Sequence, residues 1–218
     1  MNQFGQPLPM QIAERIATKI IEGAIEPGSR IFEEQLAEEF GTSRAPIREA
    51  LYILTLQGLI ERTPRKGAIV KSYTRQDIEQ LYQVRSHLEQ LALSQIPFPL
   101  SGPGELRFTL ILEDMERAVK ARDYHLYSEL NIRFHRTLFE LADNNILSKL
   151  YEQLEIPLHF LLKLSVRDED TLLHSFEEHK LMISLILSKQ RDEALAVLKQ
   201  HDSDSLSRVS DYFHNSKK

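Results

Sequence analysis

The chain contains no cysteine, which excludes disulfide bridges and thiolate metal ligands. It also has no apolar run approaching the roughly 20 residues that a membrane-spanning helix requires. The stretch from Met1 to Pro9 lacks the basic-then-apolar pattern of a secretory signal. Internal repeats and low-complexity tracts are missing, and from Thr74 onward strand-like alternation is missing as well. These absences set the expectation of a cytoplasmic protein with no membrane partner. What is present is 218 residues with 42% hydrophobic content, ample for one large core or two small ones.

The formal net charge of -5 argues at first against a nucleic-acid partner, but its distribution is more informative than its sum. Residues 1 to 72 hold 9 basic and 9 acidic side chains, so the acidity belongs to the second half. From Thr42 to Arg75 there are 7 basic residues against 2 acidic ones. A small surface that reads DNA would carry such a local excess.

Apolar spacing organises the first part. Ile12, Ile16 and Ile20 predict an amphipathic helix over Met10 to Glu22, stopped by Gly23. After a turn at Pro27-Gly28, Glu33 to Phe40 predicts a short second helix with Leu36 and Phe40 inward and Gly41 in the left-handed position beyond its end. Ser43 is placed to cap a third helix running to about Gln57, with Ile47, Leu51 and Leu54 on its buried face. Leu59 to Arg62 and Ala68 to Lys71 are β-prone and flank the turn Thr63-Pro64-Arg65-Lys66-Gly67, which reads as a hairpin. This order is that of a winged helix-turn-helix, whose last helix enters the major groove.

From Thr74 the spacing is helical throughout. Helices are predicted at Arg75 to Gln95, Glu105 to Arg122, Tyr124 to Ala142, Ile146 to Val166, Thr171 to Ser188 and Asp192 to His214. Pro97, Pro99 and Gly102-Pro103-Gly104 are read as the break between the first two. The fold expected is mainly α: residues 1–73 a winged helix-turn-helix domain for DNA, residues 74–218 an all-helical bundle for effector binding and dimerisation.

Two sets of side chains carry chemistry. Arg44 and Arg48 lie one turn apart, opposite Ile47 and Leu51, so burial of the apolar face presents both guanidiniums outward. Arginine is suited to donate two hydrogen bonds to guanine or to a phosphate. Arg30 could reach the DNA backbone, and the wing turn with Arg65, Lys66 and Gly67 could follow a minor groove. The plainer reading of Arg44 and Arg48 is a solvated face paired with nearby glutamates.

The second set is Asn131, His135, His179 and His201. Positions 131 and 135 share a helix face, and imidazoles converging inside a bundle are a means of building a metal site. Three neutral imidazoles with one oxygen donor suit a divalent transition metal, zinc foremost, with nickel, iron or manganese as alternatives. His87, His125, His159, His174 and His214 are left as surface or core histidines.

The stretch Pro27-Gly28, Glu33, Leu36-Ala37, Phe40-Gly41, Ser43-Arg44-Ala45-Pro46-Ile47-Arg48-Glu49-Ala50-Leu51, Leu54, Gly58-Leu59-Ile60 and Gly67 resembles the N-terminal domain of GntR-family bacterial transcription regulators. Arg85 with Glu89, Asn131 through His135, Glu178-His179 and His201 resemble the FCD effector domain of the FadR-like branch. The resemblance implies base and phosphate contacts from Arg44 and Arg48, a wing tip at Gly67 and a further contact at Arg30. It also implies a ligand-responsive homodimer on a palindromic operator, taking a small organic acid as effector. Repression is the expected action, although the residues themselves leave the sign of regulation open.

Asn131 stands where this family often has a carboxylate. An amide oxygen carries no charge, so an ion held here keeps its full positive charge and favours an anionic effector, with Arg85 pairing to the carboxylate. A metalloenzyme is the competing class. Glu178 is about 100° around the helix from His179 and is expected to point away from a metal-bound water, so no enzymatic activity is expected. A regulator with merely structural histidines is the third reading.

Overall fold

The computed structural model describes residues 6–63, 67–100, 102–166 and 168–215, and it divides into two compact units, Met1–Tyr73 and Thr74–Lys218. In the first unit, α1 (Leu8–Ile21) packs on α3 (Arg44–Leu56). The four-residue recurrence of Ile12, Ile16 and Ile20 puts all three into the core against Ile47, Leu51 and Leu54. Between them lies the short α2 (Glu33–Glu39), which buries Leu36. Phe40 is half-buried, with the Arg15 guanidinium over its ring at 4.7 Å.

The turn from α2 to α3 needs a positive φ, and Gly41 supplies it at 60°. Ser43 occupies the N-cap position of α3 in an extended conformation, but its side chain makes no capping bond. The helix start is instead favoured by Pro46 in its first turns, where amides have no intrahelical partner. The hairpin of β2 (Ile60–Thr63) and β3 (Gly67–Val70) is antiparallel. A third strand too short to show in the sequence, β1 (Arg30–Ile31), pairs with β3 to give the order β1-β3-β2.

The second unit is helical throughout its described residues: α4 (Arg75–Gln95), α5 (Gly102–Ala121), α6 (Tyr124–Leu141), α7 (Asn145–Ser165), α8 (Glu169–Leu187) and α9 (Arg191–Asn215). Side chains fix most of the helix starts. A reciprocal capping box joins Thr74 and Asp77, another joins Asp168 and Thr171, and Asp123 and Asn144 cap α6 and α7. Gly102-Pro103-Gly104 does not form the break expected of it but opens α5, because proline is compatible with a first helical turn. Phe108, Met115, Phe134, Leu138 and Ile183 form the centre of the core. Helices α4, α6, α8 and α9 pack so that α4 touches α6 and α9 while α8 touches α9. No helix among the described residues is long and apolar enough to cross a membrane.

Candidate functional site

On the first unit, α3 turns Arg44 and Arg48 outward while Ile47, Ala50 and Leu51 are fully buried beneath them. Both arginines are ion-paired with α2: Arg44 with Glu34, and Arg48 Nε with Glu33 Oε2 at 3.1 Å. The plainer reading, a solvated face with neighbouring glutamates, thus describes the DNA-free surface. Arg44, Arg30 and Gly67 border one open cleft of about 350 Å³. Gly67 has φ 80°, and a Cβ there would lie 3.9 Å from the Arg30 guanidinium, so glycine serves the backbone geometry here rather than relieving a clash. Arg30 itself is held in β1 with its guanidinium 5.1 Å from the Phe32 ring centre. Arg65 and Lys66 lie outside the described residues. Sequence reasoning overlooked Arg62, whose Nη2 donates to the Arg48 carbonyl oxygen at 3.3 Å.

In the second unit, α6 contributes Asn131 and His135, α8 His179, and α9 His201, and all four are buried. The ring centres stand 5.5 Å apart for His135 and His179, 5.4 Å for His135 and His201, and 4.5 Å for His179 and His201. One ring nitrogen from each comes within 4.8 Å of the others.

Hydrogen bonds fix the tautomers. His179 Nδ1 is 2.6 Å from the Ser175 carbonyl oxygen, which can only accept, so Nδ1 carries the proton. His201 Nδ1 donates to Glu178 Oε2 at 2.7 Å, and His135 Nδ1 donates to Glu89 Oε2 at 2.9 Å. Each Nε2 therefore presents a lone pair. Those of His179 and His201 have no hydrogen-bond partner, and neither has the Asn131 amide. A second group holding the outer nitrogen while the inner one stays bare is the arrangement of a metal-ligating histidine. The residues fit a divalent ion, with one qualification of geometry: His135 Nε2 accepts from Arg85 Nη2 at 2.9 Å.

Arg85 is fully buried. Its Nε donates to Glu89 Oε1 at 2.8 Å, and Asp202 Oδ1 is 3.4 Å from Nη2, while Nη1 has no partner. Burial acts to lower the Arg85 pKa, but Glu89 and Asp202 outweigh it and hold the guanidinium charged. Burial and the neighbouring Glu89 push Asp202 up to about 7. Two carboxylates thus share one guanidinium and retain a proton between them.

All three imidazoles are held well below the usual histidine pKa, by burial first and then by the adjacent positive charge of Arg85 or of one another. In the unfolded chain they take up protons near 6.5. A depressed folded value means stability that is full above that pH and lost as pH falls below it. The shared Asp202–Glu89 proton works in the opposite direction, since the folded state binds it where the unfolded chain has released it. Three imidazoles against one shared proton leave a net loss of stability as pH falls from about 6 to 5, on the order of a few kcal/mol over that interval. Urea unfolding midpoints of metal-free protein across that interval should fall with this steepness, and a flat profile would show that the imidazoles are not neutral in the fold.

The orienting partners of the triad were only partly foreseen. Glu178 Oε2 holds the outer nitrogen of His201 across the α8–α9 contact. Nothing local in the sequence joins positions 178 and 201. The His179–Ser175 contact was accessible in principle, because Nδ1 of a helical histidine can reach the carbonyl one turn back.

Comparison with known proteins bears on both units. The model of the family described as bacterial regulatory proteins, gntR family, matches residues 8–70, and the FCD domain model matches residues 80–204. The chain is 31% identical over 201 residues to the HTH-type transcriptional regulator YdhC of Bacillus subtilis (strain 168), covering 89% of this chain and 86% of that one. It is 30% identical over 207 residues to the gluconate operon transcriptional repressor of Bacillus licheniformis, covering 93% and 85%. Among solved structures, Escherichia coli McbR/YncC superposes with a TM-score of 0.82 at 20% identity, covering 95% of this chain and 99% of that one. A GntR transcriptional regulator from Rhodococcus sp. RHA1 superposes with a TM-score of 0.81 at 19% identity, covering 92% and 96%. The families and the curated relatives matched are transcription regulators rather than enzymes.

Proposed function

Since the chain belongs to the GntR family of bacterial regulatory proteins, in the FadR-like architecture with an FCD domain, we propose that this DNA-binding regulator is a repressor that senses a small carboxylate at the buried histidine site. It acts as a homodimer, whose two-fold symmetry matches a palindromic operator with half-sites about one helical turn apart. Arg44 and Arg48 face the major groove, Gly67 marks the wing, and Arg30 approaches the backbone beside it. Val84 and Leu91, half exposed and two turns apart on α4, offer apolar surface for the second copy.

The observation that carries the sensing role is the pair of bare Nε2 atoms on His179 and His201 beside an unpartnered Asn131 amide and a buried arginine with a free Nη1. His135, His179, His201 and Asn131 would hold a divalent ion, zinc foremost, and such an ion supplies positive charge to which carboxylate oxygens can bind. Arg85 turns Nη1 or Nη2 toward the same carboxylate, and Glu89 orients its guanidinium from the opposite edge. Relatives named as repressors of a gluconate operon make a sugar acid the first compound to try.

A second reading has its own support: Arg85 already satisfies His135 Nε2, as it would in a regulator that uses no metal. Calorimetry separates the two. Gluconate and other small carboxylates should give binding heat with zinc-loaded protein and none with metal-free protein; equal heat in both favours the metal-free site. Asn131→Asp should tighten zinc and weaken the acid, each by about tenfold, or roughly 1.4 kcal/mol for one added negative charge. The reverse pattern would remove the role given to the uncharged amide.

A further inference from the structure

Beyond the buried triad, a second group of ligating side chains assembles on the solvent side of α8 and α9. His174 and Glu178 stand one turn apart on α8 and Asp204 meets them from α9, with one ligand atom of each within 4.8 Å of the others. His174 and Asp204 border an open cleft of about 420 Å³ that also takes in Asp170, Ser207 and Arg208. Two carboxylates, Asp170 and Asp204, therefore face a single guanidinium across the cleft, which leaves it attractive to a dication. Glu178 Oε1 is buried and accepts no hydrogen bond, although His174 Nε2 is 3.2 Å away. A buried carboxylate oxygen that accepts no hydrogen bond, 3.2 Å from an imidazole and near a second carboxylate, offers a cation three donor groups.

The other oxygen of the same carboxylate faces inward. Glu178 Oε2 accepts from His201 Nδ1 at 2.7 Å and from Arg208 Nη2 at 3.2 Å. One side chain thus belongs to both groups.

We propose that His174, Glu178 and Asp204 form a second, surface site for a divalent cation of the zinc class, and that Glu178 ties it to the buried histidines. Zinc bonds to nitrogen and oxygen are about 2.0–2.2 Å long, so the donors must close by a small side-chain movement. His174, 61% exposed, is free to make it. The site takes a lower affinity than the buried one, since two of its donors are hydrated before binding. It stands apart from the proposed function except through Glu178.

Zinc titration of the metal-stripped full chain against a chromophoric chelator tests this. The wild type should bind two equivalents per chain, and H174A/D204A, which alters no core residue, should lose the weaker and keep the tighter. E178Q should lose the weaker equivalent and loosen the tighter by about 10–100-fold, the usual cost of removing a partner that orients a metal-ligating histidine. Two equivalents persisting in H174A/D204A would overturn the surface site, as would a single wild-type equivalent that this variant retains. A single wild-type equivalent that the variant loses would leave the surface site standing and bring down the buried one. A tight equivalent unchanged in E178Q would overturn the link between them.

Discussion

The double variant R44A/R48A loses operator binding almost completely, and each single variant weakens it by about 1–3 kcal/mol, about fivefold to over a hundredfold. The expectation rests on the geometry of α3. Its apolar face is sealed under the first unit, so the helix cannot turn to hide the arginines, and its exposed side offers them at a spacing of one turn. Their ion pairs with Glu34 and Glu33 do not oppose this strongly, because both arginine side chains are more than half exposed. Exposed pairs of this kind contribute about 0–1 kcal/mol and weaken with salt. A phosphate or guanine edge therefore displaces the glutamates readily, and E33Q/E34Q should bind DNA a few-fold more tightly at low ionic strength by removing the competitor. Fluorescence anisotropy on DNA from the gene's own upstream region, repeated over a salt series, separates the roles. An arginine on a phosphate lowers the salt slope by about one when removed, whereas one on a base relaxes sequence preference. Wild-type affinity and salt slope in R44A/R48A would take α3 out of the DNA interface.

The parts of this molecule legible in its sequence are those written in local spacing. Ile12, Ile16 and Ile20 defined α1, and the i,i+4 relation of Asn131 and His135 placed both on one face because a helix imposes that geometry whatever surrounds it. Helix packing then decided the rest. That His201 is oriented by Glu178, and that Arg85 meets Asp202 and His135, depends on how α4, α6, α8 and α9 lie against one another, and no periodicity encodes such a contact; the Arg85–Glu89 pair, by contrast, follows from i,i+4 spacing on α4. The strand β1 escaped notice because two residues carry no alternation; only its pairing with β3 makes it a strand. His174 illustrates the same limit. In sequence it is one histidine among several, and its proximity to Asp204 emerges only when α9 folds back on α8.

Zinc loading should raise the Tm of the protein by on the order of 10 °C, and chelation should reverse the rise. The triad is already set for an ion: its outer nitrogens are pinned by Ser175, Glu178 and Glu89, and its rings are neutral. Little reorganisation is therefore needed beyond the withdrawal of Arg85 Nη2 from His135. Two buried ring nitrogens lack partners, and each such vacancy costs about 1–3 kcal/mol while it persists. An ion present at a thousand times its dissociation constant stabilises the fold by about 4 kcal/mol, and a chain of this length gains about 2–4 °C per kcal/mol. H179A, checked for retained helicity by circular dichroism, should show no comparable zinc-dependent rise, whereas H174A/D204A should keep most of it, because the surface site binds the more weakly of the two. A rise that survives in H179A and disappears in H174A/D204A would mean that the stabilising ion sits on the surface and that the three buried histidines are packing residues.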